Sequence, residues 1–257
     1  MSISKSYEAL KDYNYEVSKG LVPGVGQVAF SWHNPDVGAS WVNVGSIATL
    51  PVKYPTGTKL LIASTSVDDT FGGSGANIGL INGLDENYEP VQETFNYDGQ
   101  TPVETVNKYI RVHDLVAIVT GTQDTRGLAA AKGNIFAGVG AFNTTTGFAD
   151  NFSRITIGES GSRQGGFTVP ANKNCILSQL EITVLKPITG SQRETETILL
   201  FRFPSIGFLQ SSPLYGTLNW EQGYNLVLPP TTDFQVITKD GNGAKVSVVV
   251  RGYLFDV

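Results

Sequence analysis

Turn signals recur along this sequence at intervals of roughly 8 to 12 residues, and that spacing constrains the fold more than any other feature. The chain has 29 glycines and 12 prolines among its 257 residues, and runs rich in β-branched residues lie between them. Examples are "TKLLIAST", "CILSQLEITVL" and "AKVSVVVRGYLFDV". Short strands separated in this way are typical of antiparallel sandwiches and barrels. The spacing therefore predicts an all-β fold, an antiparallel β-sandwich.

Three segments give more detailed predictions about strands. The turn "KDGNGA" (239–244) predicts a hairpin between its flanking strands, because Asp-Gly and Asn-Gly tolerate positive φ. The pair Asp98–Gly99 in "YDGQTPVETV" predicts another such turn. In "KYIRVHDLVAIVTG" the continuously apolar run from Leu115 to Val119 predicts a strand buried on both faces, and in the last strand Val246, Val248 and Val250 are expected to share one face.

The first 25 residues differ from the rest and are predicted to form an N-terminal arm. "SKSYEALKDY" is the best helix candidate in the chain, since Tyr7 and Leu10 share a helical face and a serine precedes them. "DYNYEV" then places Tyr13, Tyr15 and Val17 in alternation, as in a strand. We expect the four residues Tyr7, Leu10, Tyr13 and Tyr15 to contact a neighbouring subunit.

Residues 26–257 are expected to form a single β-sandwich domain. The stretch "ESGSRQGGFTVPANKN", residues 159–174, is a possible internal seam because several glycines and a Val-Pro-Ala step lie close together. It is either a linker between two domains or a long loop crossing one sandwich. We favour the loop, since each half by itself would have a thin core.

A glycine run, "DDTFGGSGANIGLING" (68–83), resembles a phosphate-binding loop but lacks its essential features. Its spacing is G-x-G-x-x-x-G, no lysine follows before Lys108, and Gly79, Gly83 and Pro90 disfavour a helix after it. We predict a mobile turn between two strands, with Asp68 and Asp69 as solvated turn acids.

Composition and charge exclude several classes of function. The formal net charge is -5 and the basic residues are scattered singly, so nucleic acid is not expected as a partner. No apolar run approaches the roughly 20 residues of a membrane-spanning helix, and the N-terminus lacks the pattern of a signal peptide. Cys175 is the single cysteine and is expected to be a small buried residue.

Neither a catalytic set nor a metal or cofactor site is predicted. The two histidines are His33, beside a proline turn, and His113, within a strand whose next residue, Asp114, is expected to point to the opposite face. No G-x-S-x-G motif occurs, and the acidic groups lack EF-hand spacing. The chain is therefore not expected to be an enzyme.

Two tryptophans, Trp32 and Trp41, flank the segment "HNPDVGAS". An indole stacks well on the apolar side of a sugar ring, so this pair could face a glycan. Tryptophans near a turn are more often core or oligomer contacts. Both interpretations remain open at this stage.

A series of short motifs follows in one order over residues 55–257. These motifs are S-x-S-x-x-D-T, a glycine-rich loop, G-L-D-x-N-Y, an E-T strand, an Asp-Gly turn, T-P-V, a basic strand, T-V-P-A and a closing hairpin. Here they are Ser64, Ser66, Asp69 and Thr70; Gly72, Gly73 and Gly75; Gly83 to Tyr88; Glu93 and Thr94; Asp98 and Gly99; Thr101 to Val103; Arg111; Thr168 to Ala171; and the segment 226–257. In this order the motifs resemble a group of β-rich virion structural proteins of tailed, mainly marine, bacteriophages.

This resemblance implies a jelly-roll-like sandwich present in many copies on a phage particle, made in the host cytoplasm. The implied function is that of a head decoration or a neck or tail component. Its partners would be copies of itself and capsid, portal or tail subunits. The alternative is a receptor- or glycan-binding module of a tail fibre, with a host-surface glycan as its ligand.

Overall fold

The computed structural model describes residues 17, 19–45, 47, 53–121, 130–185, 195–203, 207–211, 213–215, 217–240 and 243–257. The predicted helix and the four arm residues Tyr7, Leu10, Tyr13 and Tyr15 lie outside these ranges. The described residues form seventeen β-strands. In chain order the strands are β1 (Val25–Val37), β2 (Val42–Asn43), β3 (Thr58–Ser64), β4 (Ala76–Leu84), β5 (Pro90–Asn96), β6 (Val103–Tyr109), β7 (Arg111–Thr120), β8 (Ile135–Asn143), β9 (Gly147–Ile155), β10 (Gly166–Thr168), β11 (Lys173–Leu185), β12 (Glu196–Phe203), β13 (Gly207–Gln210), β14 (Leu214–Tyr215), β15 (Leu218–Leu228), β16 (Asp233–Lys239) and β17 (Ala244–Asp256).

These strands form four sheets, and the pairs within them are antiparallel. Sheet I has the order β1-β17-β11-β15, and sheet II has β10-β16-β12-β13, with β14 on β12 and β2 on β16. Sheet III has the order β6-β3-β8-β9, and sheet IV has β5-β4-β7. The prediction of an all-β, antiparallel chain is confirmed.

Two large hydrophobic clusters hold the sheets together in pairs. The first contains side chains from sheets I and II, among them Ile182, Val248 and Phe234. The second contains side chains from sheets III and IV, among them Ile62 and Leu115. Burial of apolar surface between facing sheets is the main favourable term in a fold of this kind.

The jelly-roll arrangement expected for residues 26–257 is not the one observed. A jelly roll has two facing sheets, whereas these strands divide among four sheets in a propeller-like ring. The suggested seam, 159–174, includes β10 of sheet II and connects β9 of sheet III to β11 of sheet I. That residues 26–257 form a single domain across this seam stays a prediction.

The turn "KDGNGA" does not close a hairpin, and this corrects the clearest local prediction. β16 pairs with β10, β12 and β2 in sheet II, whereas β17 pairs with β1 and β11 in sheet I. The six residues Asp233–Thr238 are all buried, so β16 is covered on both faces. Asp240, in the turn, is buried as well and accepts a hydrogen bond from the hydroxyl of Thr195. The turn therefore carries the chain from one sheet to the sheet facing it.

The turn at Asp98–Gly99 behaves in the same way. Gly99 has a φ of 59°, as the Asp-Gly signal predicts, but β5 belongs to sheet IV and β6 to sheet III. The side-chain alternation of β17 is confirmed, because Val246, Val248 and Val250 are fully buried in the first cluster.

The apolar run in β7 is buried for only part of its length. Leu115 and Ala117 are buried, but Ile118 is 49% and Val119 44% exposed. β7 is an edge strand of sheet IV, and Ile118 and Val119 at its end are not part of the second cluster. The prediction of a strand buried on both faces is wrong for these two residues.

Candidate functional site: a cleft along the free edge of β1

β1 is the longest edge strand of sheet I and pairs with β17 alone, from Val25 opposite Phe255 to Val37 opposite Ala244. Within the described ranges no other strand pairs with its second edge. From Val25 to Asn34 the strand contains no Lys, Arg, Asp or Glu. Edge strands of soluble proteins are usually shielded by such charges, by proline or by a covering segment.

A cleft of about 500 Å³ runs along this free edge. Five consecutive residues of β1, Val28 to Trp32, line it. Successive side chains of a strand point to opposite faces, so a single face would contribute only every second residue. The unbroken run shows that the backbone edge itself borders the cleft.

The other walls of the cleft come from sheets IV and II. The end of β4 and the start of β5 contribute Asn82–Leu84 and Pro90–Gln92, and β7 contributes His113 and Asp114. Phe167 of β10 completes an aromatic group with Phe30, whose ring centroid lies 4.5 Å from that of Phe167. The cleft is thus bounded by one free strand edge, apolar rings and a few polar side chains.

A β-bulge in β7 explains why His113 and Asp114 both line the cleft. Gly83 pairs with Val112 and Asn82 pairs with Asp114, which leaves His113 as the extra residue. A bulge interrupts the alternation of side chains and redirects one of them. The sequence-based expectation that Asp114 points away from His113 is therefore wrong at this position.

Burial keeps His113 uncharged. Desolvation first, and the nearby Arg111 guanidinium second, lower the pKa of His113 to about 4. Its Nε2 accepts a hydrogen bond from the backbone N–H of Thr168 at 3.2 Å, and its ring lies 4.9 Å from that of Phe167. A neutral imidazole with an occupied Nε2 is a packing and hydrogen-bonding residue here.

Asp114 and Ser162 also lie in the cleft, but these side chains do not form a nucleophilic relay with His113. The Ser162 hydroxyl donates to Asp114 Oδ1 at 3.3 Å and accepts from the backbone N–H of Leu115 at 2.9 Å. Burial raises the pKa of Asp114. A triad requires a base bonded to the nucleophile, whereas His113 bonds to Thr168.

A buried ion pair links the wall of the cleft to sheet II. Arg111 Nε lies 2.9 Å from Asp233 Oδ1, and its second nitrogen lies 3.0 Å from Oδ2, so the guanidinium binds the carboxylate with two bonds. Thr168 Oγ1 donates to the same carboxylate, and Arg111 Cζ lies 3.9 Å from the centre of the Tyr54 ring. The sequence indicated only that Arg111 is a basic residue in a strand, since its partner is 122 positions away.

The glycine run begins with the predicted turn between β3 and β4, but this turn surrounds a buried carboxylate, so the prediction that both acids are solvated is wrong. Asp69 is fully buried and accepts four hydrogen bonds, from Ser64 Oγ at 2.6 Å and from the backbone N–H groups of Ala76, Lys132 and Gly133 at 2.8 to 2.9 Å. A Cβ on Gly75 would lie 2.1 Å from Asp69 Oδ1, so this position requires glycine. The sequence suggested that both acids are exposed, and this is correct for Asp68 alone.

The two predicted ligand-facing tryptophans lie in different environments. Trp32 is 2% exposed, with its ring among Phe30 and Phe234 in the first cluster, so neither face of the indole is available to a sugar. Trp41 is half-buried, and Lys239 Nζ lies 4.7 Å from its ring centre. The alternation of side chains along β1 distinguishes the two tryptophans, because it places Trp32 on the inward face of the strand.

The described residues contain neither a metal-binding group nor a membrane-spanning helix, and the single thiol among them is buried. Across the part of the chain that the structure describes, no group of three or more His, Cys, Asp or Glu side chains is arranged to hold a metal ion. The same residues contain no helix long and apolar enough to span a bilayer. Cys175 is fully buried, as predicted, and burial raises the pKa of its thiol to about 12.

Comparisons with known proteins give no family. No protein-family model and no curated protein matches the chain. Among solved structures, a chain from the structure of the infectious bursal disease virus Gt strain aligns over 95% of this chain and 82% of its own length, with 8% identity and a TM-score of 0.18. The viral particle and the VP2 subviral particle of the same virus align over 91% of this chain and 70% and 76% of their own, with 11% and 10% identity and TM-scores of 0.19 and 0.17. TM-scores this low do not establish a common fold, so these likenesses carry no argument about function.

Proposed function

We propose that the chain is a virion structural protein of a tailed bacteriophage, a head decoration or a neck or tail component, that acts by binding copies of itself and other virion proteins. The free, uncharged edge of β1 is the observation that carries the proposal. The sequence resemblance over residues 55–257 supplies the biological setting. The proposal includes the expectation that the chain is not an enzyme.

An unpaired strand edge favours contact with another polypeptide. Each residue along β1 directs its backbone N–H and C=O groups either toward β17 or toward the cleft, and those facing the cleft can pair with an added strand. Lysine, proline or a bulge normally prevents such addition, and β1 has its proline and its first acid only at Pro35 and Asp36. The edge from Val25 to Asn34 is therefore open to a partner.

The lining of the cleft favours a polypeptide over an anionic ligand. It contains one carboxylate, that of Asp114, and no lysine or arginine. Phosphate or nucleic acid would require positive charge here. A glycan-binding module receives less support, because Trp32 is buried and the described contacts leave only Trp41 partly accessible.

Sedimentation velocity over a concentration series tests this function. We expect the full chain to form a discrete oligomer, and the double variant Ala29→Lys/Ser31→Lys to shift toward monomer, because both side chains are exposed on β1 and lysine blocks strand addition. The matched control is Val106→Lys, which adds a charge at a 79% exposed position on edge strand β6 of sheet III. A full chain that remains monomeric at its highest soluble concentration would overturn the proposal.

A further inference from the structure

We propose that one water molecule is bound in a small buried cavity where sheets II, III and IV meet, and that it donates hydrogen bonds to Asn43 and Gln164. The site lies within one chain and does not depend on the proposed assembly function. The water would be a fixed part of the joint between the two pairs of sheets.

The size of the cavity suits a single water molecule. Its volume is about 20 Å³. Asn43 of β2 and Thr168 of β10 line it from sheet II, Arg111 of β7 from sheet IV and Phe152 of β9 from sheet III. One water needs roughly 10–15 Å³ of cavity space. The cavity therefore holds one water and is too small for an organic ligand.

Two oxygen atoms of side chains that line the cavity have no hydrogen-bond partner within the described part of the chain, Asn43 Oδ1 and Gln164 Oε1. Asn43 is 3% exposed, and both oxygens are shielded from bulk solvent. Buried polar atoms nearly always have a partner, and ordered water commonly supplies it. Both oxygens are acceptors, so their partner must be a donor, and one water can donate a hydrogen to each.

The amide nitrogens set the orientation of these two side chains. Asn43 Nδ2 donates to the backbone carbonyl of Ile47 at 3.5 Å, and Gln164 Nε2 donates to that of Phe152. Turning either amide over would place its oxygen against a carbonyl oxygen, which is repulsive. Each amide therefore keeps its oxygen as the group without a partner, and two acceptors cannot bond to each other.

The groups around the cavity favour a neutral ligand. The guanidinium of Arg111 lines it, so a bound cation would be repelled. The two amide oxygens would likewise repel an anion. The Nη1 and Nη2 atoms of Arg111 each donate one described hydrogen bond, to Ile110 O and Asp233 Oδ2, and each carries a second hydrogen that can bond to the water oxygen.

The bound water would connect a wall of the cleft to sheet II. Gln164 lines both the cavity and the cleft along β1. Asn43 belongs to β2, which pairs with β16. The ion pair between Arg111 and Asp233 joins sheets IV and II next to the same cavity. The contact between the two pairs of sheets is thus polar at this point, and the water completes its hydrogen bonds.

A crystal structure of the full chain at about 1.5 Å resolution tests the site directly. We expect one density peak about 2.6–3.2 Å from both Asn43 Oδ1 and Gln164 Oε1. A cavity without density would overturn the proposal, as would an Asn43 amide turned so that its nitrogen bonds to Gln164. Crystals soaked in a rubidium salt provide the control for a cation, because an anomalous peak in the cavity would show a monovalent ion in place of water.

A double-mutant cycle tests the bridge in solution. Asn43→Leu and Gln164→Met each remove one acceptor, and urea unfolding measures the change in the unfolding constant. Either substitution alone already breaks the bridge, so the effect of the double variant should fall short of the product of the single effects by about two- to tenfold. Bonds that each amide makes by itself cancel in the cycle.

The control cycle pairs Asn43→Leu with Gln92→Met. Gln92 is an exposed amide that lines the cleft and is not among the described residues that line the cavity. The effects of these two substitutions should multiply. Equal coupling in the two cycles, or no coupling between Asn43 and Gln164, would show that no shared water joins the two oxygens.

Discussion

Replacing Asp69 by alanine should destabilise the paired sheets III and IV far more than replacing its neighbour Asp68. The two acids are adjacent in the sequence, but Asp69 is fully buried and Asp68 is exposed. The Asp69 carboxylate joins the end of β3 to the segment before β8, since it binds Ser64 on one side and Lys132 and Gly133 on the other. The pair Asp69→Ala and Asp68→Ala therefore isolates burial from charge.

The size of the effect follows from the groups left without an acceptor. Asp69→Ala removes the partner of three backbone N–H groups, those of Ala76, Lys132 and Gly133. A buried donor without a partner costs about 1–3 kcal/mol, so the sum is roughly 3–9 kcal/mol, and water entering the space favours the lower half of that range. Asp68→Ala should stay within about 0.5 kcal/mol of the native chain.

Urea unfolding followed by far-UV circular dichroism measures the difference between the two variants. For a chain of this length, a loss of about 4 kcal/mol would also lower Tm by roughly 8–16 °C. If the two variants unfold at the same midpoint, the carboxylate of Asp69 does not hold these segments together, and the argument from buried hydrogen bonds fails.

Three further predictions concern groups around the cleft and the core. Arg111→Met should destabilise the fold by about 3–5 kcal/mol because it removes the bidentate partner of the buried Asp233 and leaves the longer contact with Arg202, at 3.9 Å, and the double variant with Asp233→Leu should recover most of the loss in a double-mutant cycle. The pKa of His113 falls from 6.5 to about 4 on folding, so the unfolded chain takes up the proton first and stability is lost as pH falls from 6.5 toward 4, by up to about 3 kcal/mol. His113→Gln should flatten that part of the stability curve, and an unchanged slope would contradict it. Cys175, whose thiol has a pKa of about 12, should react with an aromatic disulfide reagent at pH 8 only as fast as the protein unfolds, and rapid native-state labelling would refute its burial.

The sequence determined the class of the fold and the place of its turns. Alternation in the last strand correctly put Val246, Val248 and Val250 on one buried face. The Asp98–Gly99 signal correctly located a turn with positive φ at the glycine. These features depend on φ preferences and on side-chain period, which are properties of a few neighbouring residues.

The partners of each strand were decided by the tertiary structure. Asp-Gly and Asn-Gly favour a turn whatever the flanking strands pair with, and here those strands enter different sheets because the two edges of β16 are paired with β10 and β12. The jelly-roll expectation failed for the same reason, since turn signals do not specify whether a turn closes a hairpin or joins two sheets.

The site depended on contacts between distant residues, which local patterns cannot reveal. Asp233 lies 122 positions from Arg111, and Lys132 lies 63 positions from Asp69, so neither buried carboxylate was distinguishable in sequence from a solvated one. The bulge that directs His113 and Asp114 into the same cleft arises from pairing with β4. Local chemistry thus determined strands and turns, whereas burial and partner choice came from packing across the whole chain, because only the assembled sheets exclude water from these groups.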